Sequence, residues 1–163
     1  MAENFVIDKN LSLEEQYKNV LSQVKYLLDE NDHIITNLAN LTAVLKQSFD
    51  KISWVGFYLF DGNKLYLGPF QGKIACTQIE IGKGVCGTSA LKRETIIVPD
   101  VDKFPGHIVC DSDSKSEIVV PIIKKEKLFG VLDLDSSLLN SFNETDKIFL
   151  EELCKFLSEK IIR

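Results

Sequence analysis

The segment ISWVGFYLF, residues 52–60, decides the fold that the sequence predicts. Side chains point alternately to the two faces of a strand, so Trp54 and Tyr58 share one face. Val55 and Phe57 share the other face. Because both faces are apolar, protein must cover both of them, and the segment is predicted to be a central strand.

Further strand and helix patterns flank this segment. A turn at residues 61–63 returns the chain into KLYLGPF, which predicts a hairpin. Strands are also predicted at 73–81, 94–99, 116–124 and 127–135, with a long loop at 99–115. Helices are predicted at 12–30 behind a Ser12/Glu15 capping box, from Asp32 to Phe49, at 88–92 and after Asn143. Terminal helices around an antiparallel sheet give an α+β sandwich.

The composition favours one cytoplasmic domain spanning residues 1–163. A chain of 163 residues with 45% hydrophobic content can fill one core of its own. The net charge of -5, without a lysine or arginine run, argues against nucleic acid or an anionic membrane surface as the main partner. The N-terminal MAENFVIDKN lacks a secretory pattern, and no apolar stretch approaches the ~20 residues of a membrane span.

The chain has four cysteines: Cys76, Cys86, Cys110 and Cys154. Thiols are kept reduced in the cytosol, so these residues are better interpreted as buried, metal-binding or redox-active than as a static disulfide framework. No CxxC pair occurs, which argues against a zinc site. Cys154 falls on the apolar face of the last helix and is expected in the core. Cys110 follows a loop, which can provide the access that a reactive thiol needs.

Acidic side chains form a second candidate site. Asp133 and Asp135 lie two residues apart on a predicted strand and therefore point to the same face. Glu117 begins the neighbouring strand and could join them across the hairpin. Aspartate is depleted in strands, and a pair on one face is costly unless it binds something positive. Three converging acids would suit an ammonium group or a hard metal cation, whereas the alternative leaves Asp135 in solvent at the strand end.

Trp54 and Tyr58 form a third candidate. Two rings at i and i+4 of a strand are more often core than pocket. Both rings nevertheless carry a polar tip, and a pocket could use them to surround a small apolar or sulfur-bearing group.

These segments resemble the GAF-domain family and, within it, the free methionine-(R)-sulfoxide reductases. The likeness covers nearly the whole chain and is densest in WVGFY at 54–58, GVCGTSA at 84–90 and VDKFPGHIVCDSDSKSEIVVPI at 101–122. A loose apolar pattern suffices for a generic GAF domain, whereas three cysteines with GHIxCDxxSxSEIVxP are specific. The resemblance implies a central antiparallel sheet of about six strands, flanked by N- and C-terminal helices, with the substrate enclosed on one side.

The resemblance also implies roles for the cysteines. Cys110 matches the nucleophile that attacks the sulfoxide sulfur and becomes a sulfenic acid. Cys76 matches the resolving thiol that closes a disulfide with Cys110. Cys86 matches the third family cysteine, an alternative or auxiliary partner, so the identity of the main resolving thiol stays open between Cys76 and Cys86.

The same resemblance implies which residues form the substrate pocket. Trp54 and Tyr58 would hold the methyl sulfoxide end, while Glu117, Asp133 and Asp135 would bind the ammonium group and supply an acid near the sulfoxide oxygen. A methionine inside a polypeptide has no ammonium group to offer, so these acids explain a preference for the free amino acid. The disulfide would be reduced by an external dithiol such as thioredoxin. No organic cofactor and no metal is called for.

Two other interpretations remain open at this point. A GAF module that senses a small molecule without turning it over would keep its ligand after every cysteine is replaced. A metal-binding protein would use the acids together with Cys110. We also expect homodimerisation through the terminal helices.

Overall fold

The computed structural model describes residues 5–163. Residues 1–4, which begin both the predicted domain and the segment inspected for a secretory pattern, lie outside the described residues. The strands are β1 (Trp54–Phe60), β2 (Lys64–Gln71), β3 (Gln78–Glu80), β4 (Ile96–Val98), β5 (Ser116–Lys124) and β6 (Lys127–Ser136). The helices are α1 (Leu13–Leu27), α2 (Ile34–Ser48), α3 (Gly84–Lys92) and α4 (Glu144–Phe156), with short helical turns at Val101–Lys103 and Leu157–Ile161.

The strands form one antiparallel sheet in the order β3-β2-β1-β6-β5-β4. β1 lies between β2 and β6, which confirms that ISWVGFYLF supplies a central strand. The α+β fold with a six-stranded sheet is therefore the one that the sequence predicts. None of the helices within residues 5–163 combines the length and apolar character needed to cross a membrane.

Each face of the sheet carries its own apolar layer. Val55 and Phe57 are fully buried in the larger layer, where the sheet packs against α1, α2 and α4. Trp54 and Tyr58 belong to the smaller layer on the opposite face, which is covered by α3 and by the loops around it. The alternation predicted for β1 is thus observed. It places Trp54 and Tyr58 on the face of the sheet that carries the smaller apolar layer.

A buried carboxylate ties the helical layer together. Asp146, at the start of α4, accepts hydrogen bonds from the Tyr17 hydroxyl at 2.7 Å and from Lys51 Nζ at 2.6 Å. The same residue closes the capping box of α4 with Asn143, whose side chain accepts from two backbone amides. Because Asp146 is fully buried, this ion pair joins α1, α4 and the approach to β1 in a water-poor environment.

Three local predictions were wrong, and one of them is the start of α3, which lies at Gly84 and not at residue 88. The N-cap of α2 is His33 rather than Asp32, because the His33 ring Nδ1 accepts the Ile35 amide at 3.2 Å. Strand 73–81 shrinks to Gln78–Glu80, and residues 73–77 form a loop. In that loop the carbonyls of Lys73 and Cys76 accept hydrogen bonds from aromatic side chains, instead of extending the sheet.

Candidate active site

A disulfide joins the two loops that border the smaller layer. Cys76 lies in the loop between β2 and β3, and Cys110 lies in the loop before β5. Their Cα atoms are 5.5 Å apart. Both residues are half-buried. Lys73 links the same two loops, since its Nζ lies 3.5 Å from Asp111 Oδ1 and also contacts Asp113. The loops are therefore joined both by a covalent bond and by charge.

Three carboxyl groups lie beneath these loops. β5 supplies Glu117 and β6 supplies Asp133 and Asp135, with Glu117 opposite Asp135 in the strand register. Burial raises the pKa of Glu117 well above its ordinary value, and the charges of Asp133 and Asp135 add to the effect. Burial, followed by the charge of Asp135, also raises the pKa of Asp133. Burial and mutual repulsion therefore favour the protonated form of Glu117 and Asp133.

Asp135 is held differently from the other two acids. Burial raises its pKa to about 6, and a hydrogen bond from Ser114 partly offsets that rise. Ser114 Oγ donates to Asp135 Oδ1 at 2.5 Å, and Ser114 is itself buried. Asp135 is thus a hydrogen-bonded, partly covered group, and the alternative that places it in solvent at the strand end is wrong.

Cys86 lies among the acids, not at the disulfide. It belongs to α3, and its Sγ is 3.2 Å from Asp133 Oδ2 and 4.0 Å from Glu117 Oε1. Burial raises the pKa of the Cys86 thiol well above its ordinary value, and the charges of Asp133 and Glu117 raise it further. The residue therefore remains a protonated thiol that can donate a hydrogen bond.

The aromatic pair lines one wall and holds the cysteine loop. Trp54 stacks on Tyr58 with ring centroids 6.1 Å apart and on Phe70 at 5.6 Å. Trp54 Nε1 donates to the Lys73 carbonyl at 3.0 Å, and the Tyr58 hydroxyl donates to the Cys76 carbonyl at 3.0 Å. The polar tips that the sequence associates with a pocket thus fix the backbone beside Cys76.

These groups surround one cavity of about 40 Å³. Its wall includes Trp54, Tyr58, Cys86, Cys110, Glu117, Asp133 and Asp135, together with His107, Ser114 and apolar side chains such as Ile79 and Val85. Cys76 is the one predicted site residue outside this lining, and it reaches the cavity through its bond to Cys110. A pocket with an apolar wall and converging polar groups is typical of a small-molecule site.

Two lining residues received no firm role from the sequence. Ser114 lies in a polar loop, and only the family motif that contains it could have marked it as a site residue. His107 Nε2 lies 3.8 Å from Glu117 Oε2, so the ring approaches the acids. Burial lowers the pKa of His107, and the charge of Asp102 partly offsets that effect.

Three side chains of the pocket could also hold a metal ion. The candidate ligand atoms of Cys86, Glu117 and Asp133 lie within 4.8 Å of one another, and all three residues are buried. The metal site considered from the sequence had Cys110 as a ligand together with the acids. In the structure Cys110 is instead bonded to Cys76. A thiol and two carboxyls are a mixed donor set that suits a borderline cation such as zinc better than calcium or magnesium.

An α+β domain with a paired set of cysteines beside an acidic pocket defines a thiol-based redox protein, and comparisons with known proteins agree. A model of the GAF domain matches residues 32–161. GAF domain-containing protein A of Dictyostelium discoideum is 55% identical and covers 96% of this chain and 99% of the relative. Free methionine-R-sulfoxide reductase of Saccharomyces cerevisiae is 43% identical and covers 99% of this chain and 94% of the relative.

A solved structure gives the same result. The free methionine-R-sulfoxide reductase from Neisseria meningitidis, in complex with its substrate, has a TM-score of 0.88 at 44% identity and covers 95% of this chain and 94% of that chain. The chain belongs to the GAF domain family, in the branch that contains the free methionine-R-sulfoxide reductases.

Proposed function

We propose that the protein reduces free L-methionine-(R)-sulfoxide to methionine, with Cys110 as the nucleophile. The observation that carries the proposal is the Cys76–Cys110 disulfide, placed beside a cavity with three carboxyl groups on its wall. Relatives named for this activity align with nearly the whole chain, which supports the same reaction here.

The proposed reaction has three steps. In the first, the Cys110 thiolate attacks the sulfoxide sulfur while a protonated carboxyl of the pocket gives its proton to the sulfoxide oxygen, the oxygen passes to Cys110 as a sulfenic acid, and methionine leaves. In the second, the Cys76 thiol attacks the sulfenic sulfur, the disulfide forms and water leaves. In the third, an external dithiol attacks the disulfide and is itself oxidised. Since Cys76 and Cys110 are already paired, Cys76 is the better candidate for the resolving thiol.

The carboxyl groups would perform two tasks. Ionised members attract the ammonium group of a free amino acid, which a methionine within a polypeptide does not have. A protonated member can donate to the sulfoxide oxygen as it gains negative charge. The raised pKa of Glu117 favours the protonated form that such a donor needs.

The aromatic wall would receive the other end of the substrate. Trp54 and Tyr58 offer an apolar surface for the methyl group and the sulfur, and an aromatic ring also makes favourable contacts with sulfur. Their hydrogen bonds to the carbonyls of Lys73 and Cys76 would keep the resolving cysteine at the substrate's sulfur end.

Recycling and assembly are further parts of the proposal. We infer that thioredoxin reduces the half-buried disulfide and that the protein is cytoplasmic, because a disulfide that must reopen in each cycle needs a reducing compartment. We also infer a homodimer through the terminal helices. Exposed Tyr26 on α1 and Ile148 on α4 support that surface, and sedimentation would test it.

Thiol variants test the mechanism in rapid single-turnover and steady-state assays. Cys110→Ser should form no methionine, whereas Cys76→Ser should form about one equivalent and then stall with thioredoxin as the reductant. Cys154→Ala is the control, because its thiol lies in the larger apolar layer. Normal turnover by Cys110→Ser would reject the nucleophile, and normal steady-state turnover by Cys76→Ser would reject the resolving thiol. A ligand that binds every variant and is never reduced would favour a sensor.

A further inference from the structure

We propose that Cys86 is a positioning residue and not a redox partner: its thiol fixes the Asp133 carboxyl so that Asp133 Oδ1 faces the substrate's ammonium group. This inference rests on the proposed function. It gives a role to Cys86, the thiol whose role the sequence left open.

The contact is directional. Cys86 Sγ is 3.2 Å from Asp133 Oδ2, while its distance to Glu117 Oε1 is 4.0 Å, so the thiol proton is shared best with Asp133. Asp133 Oδ1 is buried and receives no hydrogen bond from any of residues 5–163. A buried acceptor without a donor is costly, and a bound ammonium group would supply the missing donor. One oxygen of the carboxyl is therefore anchored and the other is available.

The backbone around Cys86 sets the position of the sulfur. At Gly87 an added Cβ would lie 2.3 Å from the Glu80 carbonyl oxygen, so α3 packs directly against the end of β3. The Gly87 carbonyl also accepts the Gly82 amide at 2.7 Å. Gly84 has a φ of +59°, and a Cβ there would meet Ile108 at 3.1 Å. These close approaches hold the α3 backbone on both sides of Cys86, and with it the position of the Cys86 Cβ atom.

The surroundings of Cys86 oppose a redox role. Thiol–disulfide exchange requires a thiolate and access for the attacking partner. Cys86 is 4% exposed, and burial together with the charges of Asp133 and Glu117 keeps its proton in place. The half-buried Cys76–Cys110 pair meets the requirement of access better, because an external dithiol can approach it from solvent.

Two substitutions separate the alternatives. Cys86→Ser retains a hydrogen-bond donor, whereas Cys86→Ala removes it, and neither can form a disulfide. We expect Cys86→Ala to raise KM for free methionine sulfoxide about tenfold, the size typical of leaving a buried acceptor without its partner, with kcat within about threefold of the parent value. Cys86→Ser should stay within about threefold in both constants. Cys154→Ala deletes the same atom outside the pocket and should leave KM unchanged.

The outcomes also distinguish this inference from the proposed function. If the unsubstituted protein does not reduce the sulfoxide, the proposed function fails first. If it does, and Cys86→Ser and Cys86→Ala both lose steady-state turnover with thioredoxin while retaining a normal first turnover, Cys86 is a redox thiol and the positioning role is overturned. An unchanged KM in Cys86→Ala would overturn it as well.

Discussion

Replacing Asp135 with asparagine should stabilise the fold while damaging the site. Burial raises the pKa of Asp135 from 3.8 to about 6, which means that ionising this group in the folded protein costs roughly 3 kcal/mol more than in the unfolded chain. Below pH 3.8 both states carry the proton and the cost is absent. As the pH rises through about 6 the folded carboxyl ionises and the full cost is reached.

Asparagine avoids this ionisation and keeps an oxygen for the Ser114 hydroxyl, which donates to Asp135 Oδ1 at 2.5 Å. The free energy of unfolding of Asp135→Asn should therefore exceed that of the parent protein by less than about 1 kcal/mol near pH 4 and by about 3 kcal/mol at pH 8. The catalytic efficiency should fall roughly tenfold or more, because a charged partner of the ammonium group is lost.

Urea unfolding of the disulfide form, followed by tryptophan fluorescence at several pH values, would measure the difference. Asp113→Asn is the matched control, because it removes an exposed carboxylate that contacts Lys73 and should give no gain in stability at pH 8. If Asp135→Asn destabilises the protein at pH 8, or if its effect is the same at pH 4 and pH 8, the account of the buried acids is wrong.

Three further predictions concern other parts of the molecule. Asp146→Asn should lower the free energy of unfolding by about 3 kcal/mol in a urea titration, because it leaves half-buried Lys51 without its fully buried charged partner; a loss below about 1 kcal/mol would contradict this. Tyr58→Phe should slow disulfide formation after the first turnover, since the donor to the Cys76 carbonyl is lost, and quenched-flow assays with Tyr66→Phe as control would measure it. Dialysis against a chelator should leave the activity unchanged, whereas loss and recovery with zinc would favour metal binding at Cys86, Glu117 and Asp133.

Local patterns were sufficient to predict most of the fold. The apolar segment around Trp54 identified the central strand, and the Ser12/Glu15 capping box identified the start of α1. These features depend on neighbouring residues, so the sequence displays them directly. The loop at 73–77 was missed because its conformation depends on hydrogen bonds from Trp54 and Tyr58, which lie about twenty residues earlier.

The composition of the site was more predictable than its internal contacts. Strand periodicity placed Asp133 and Asp135 on one face, and the family motif drew attention to Glu117 and Cys110. The hydrogen bonds Cys86–Asp133 and Ser114–Asp135 join residues 47 and 21 positions apart, and no local pattern specifies them. Such contacts arise only when α3 and the loop before β5 are packed on the sheet, so they required the structure.

Reduction of the free amino acid can be measured by incubating the protein and a dithiol with racemic free methionine sulfoxide, and separately with methionine sulfoxide in a short peptide. Chiral chromatography would follow each epimer over time. We expect only the free R epimer to disappear, with methionine formed in equal amount, and the peptide to be left intact. Loss of the peptide sulfoxide at a similar rate would contradict the role of the acids, and no loss of any epimer would contradict the proposed function itself.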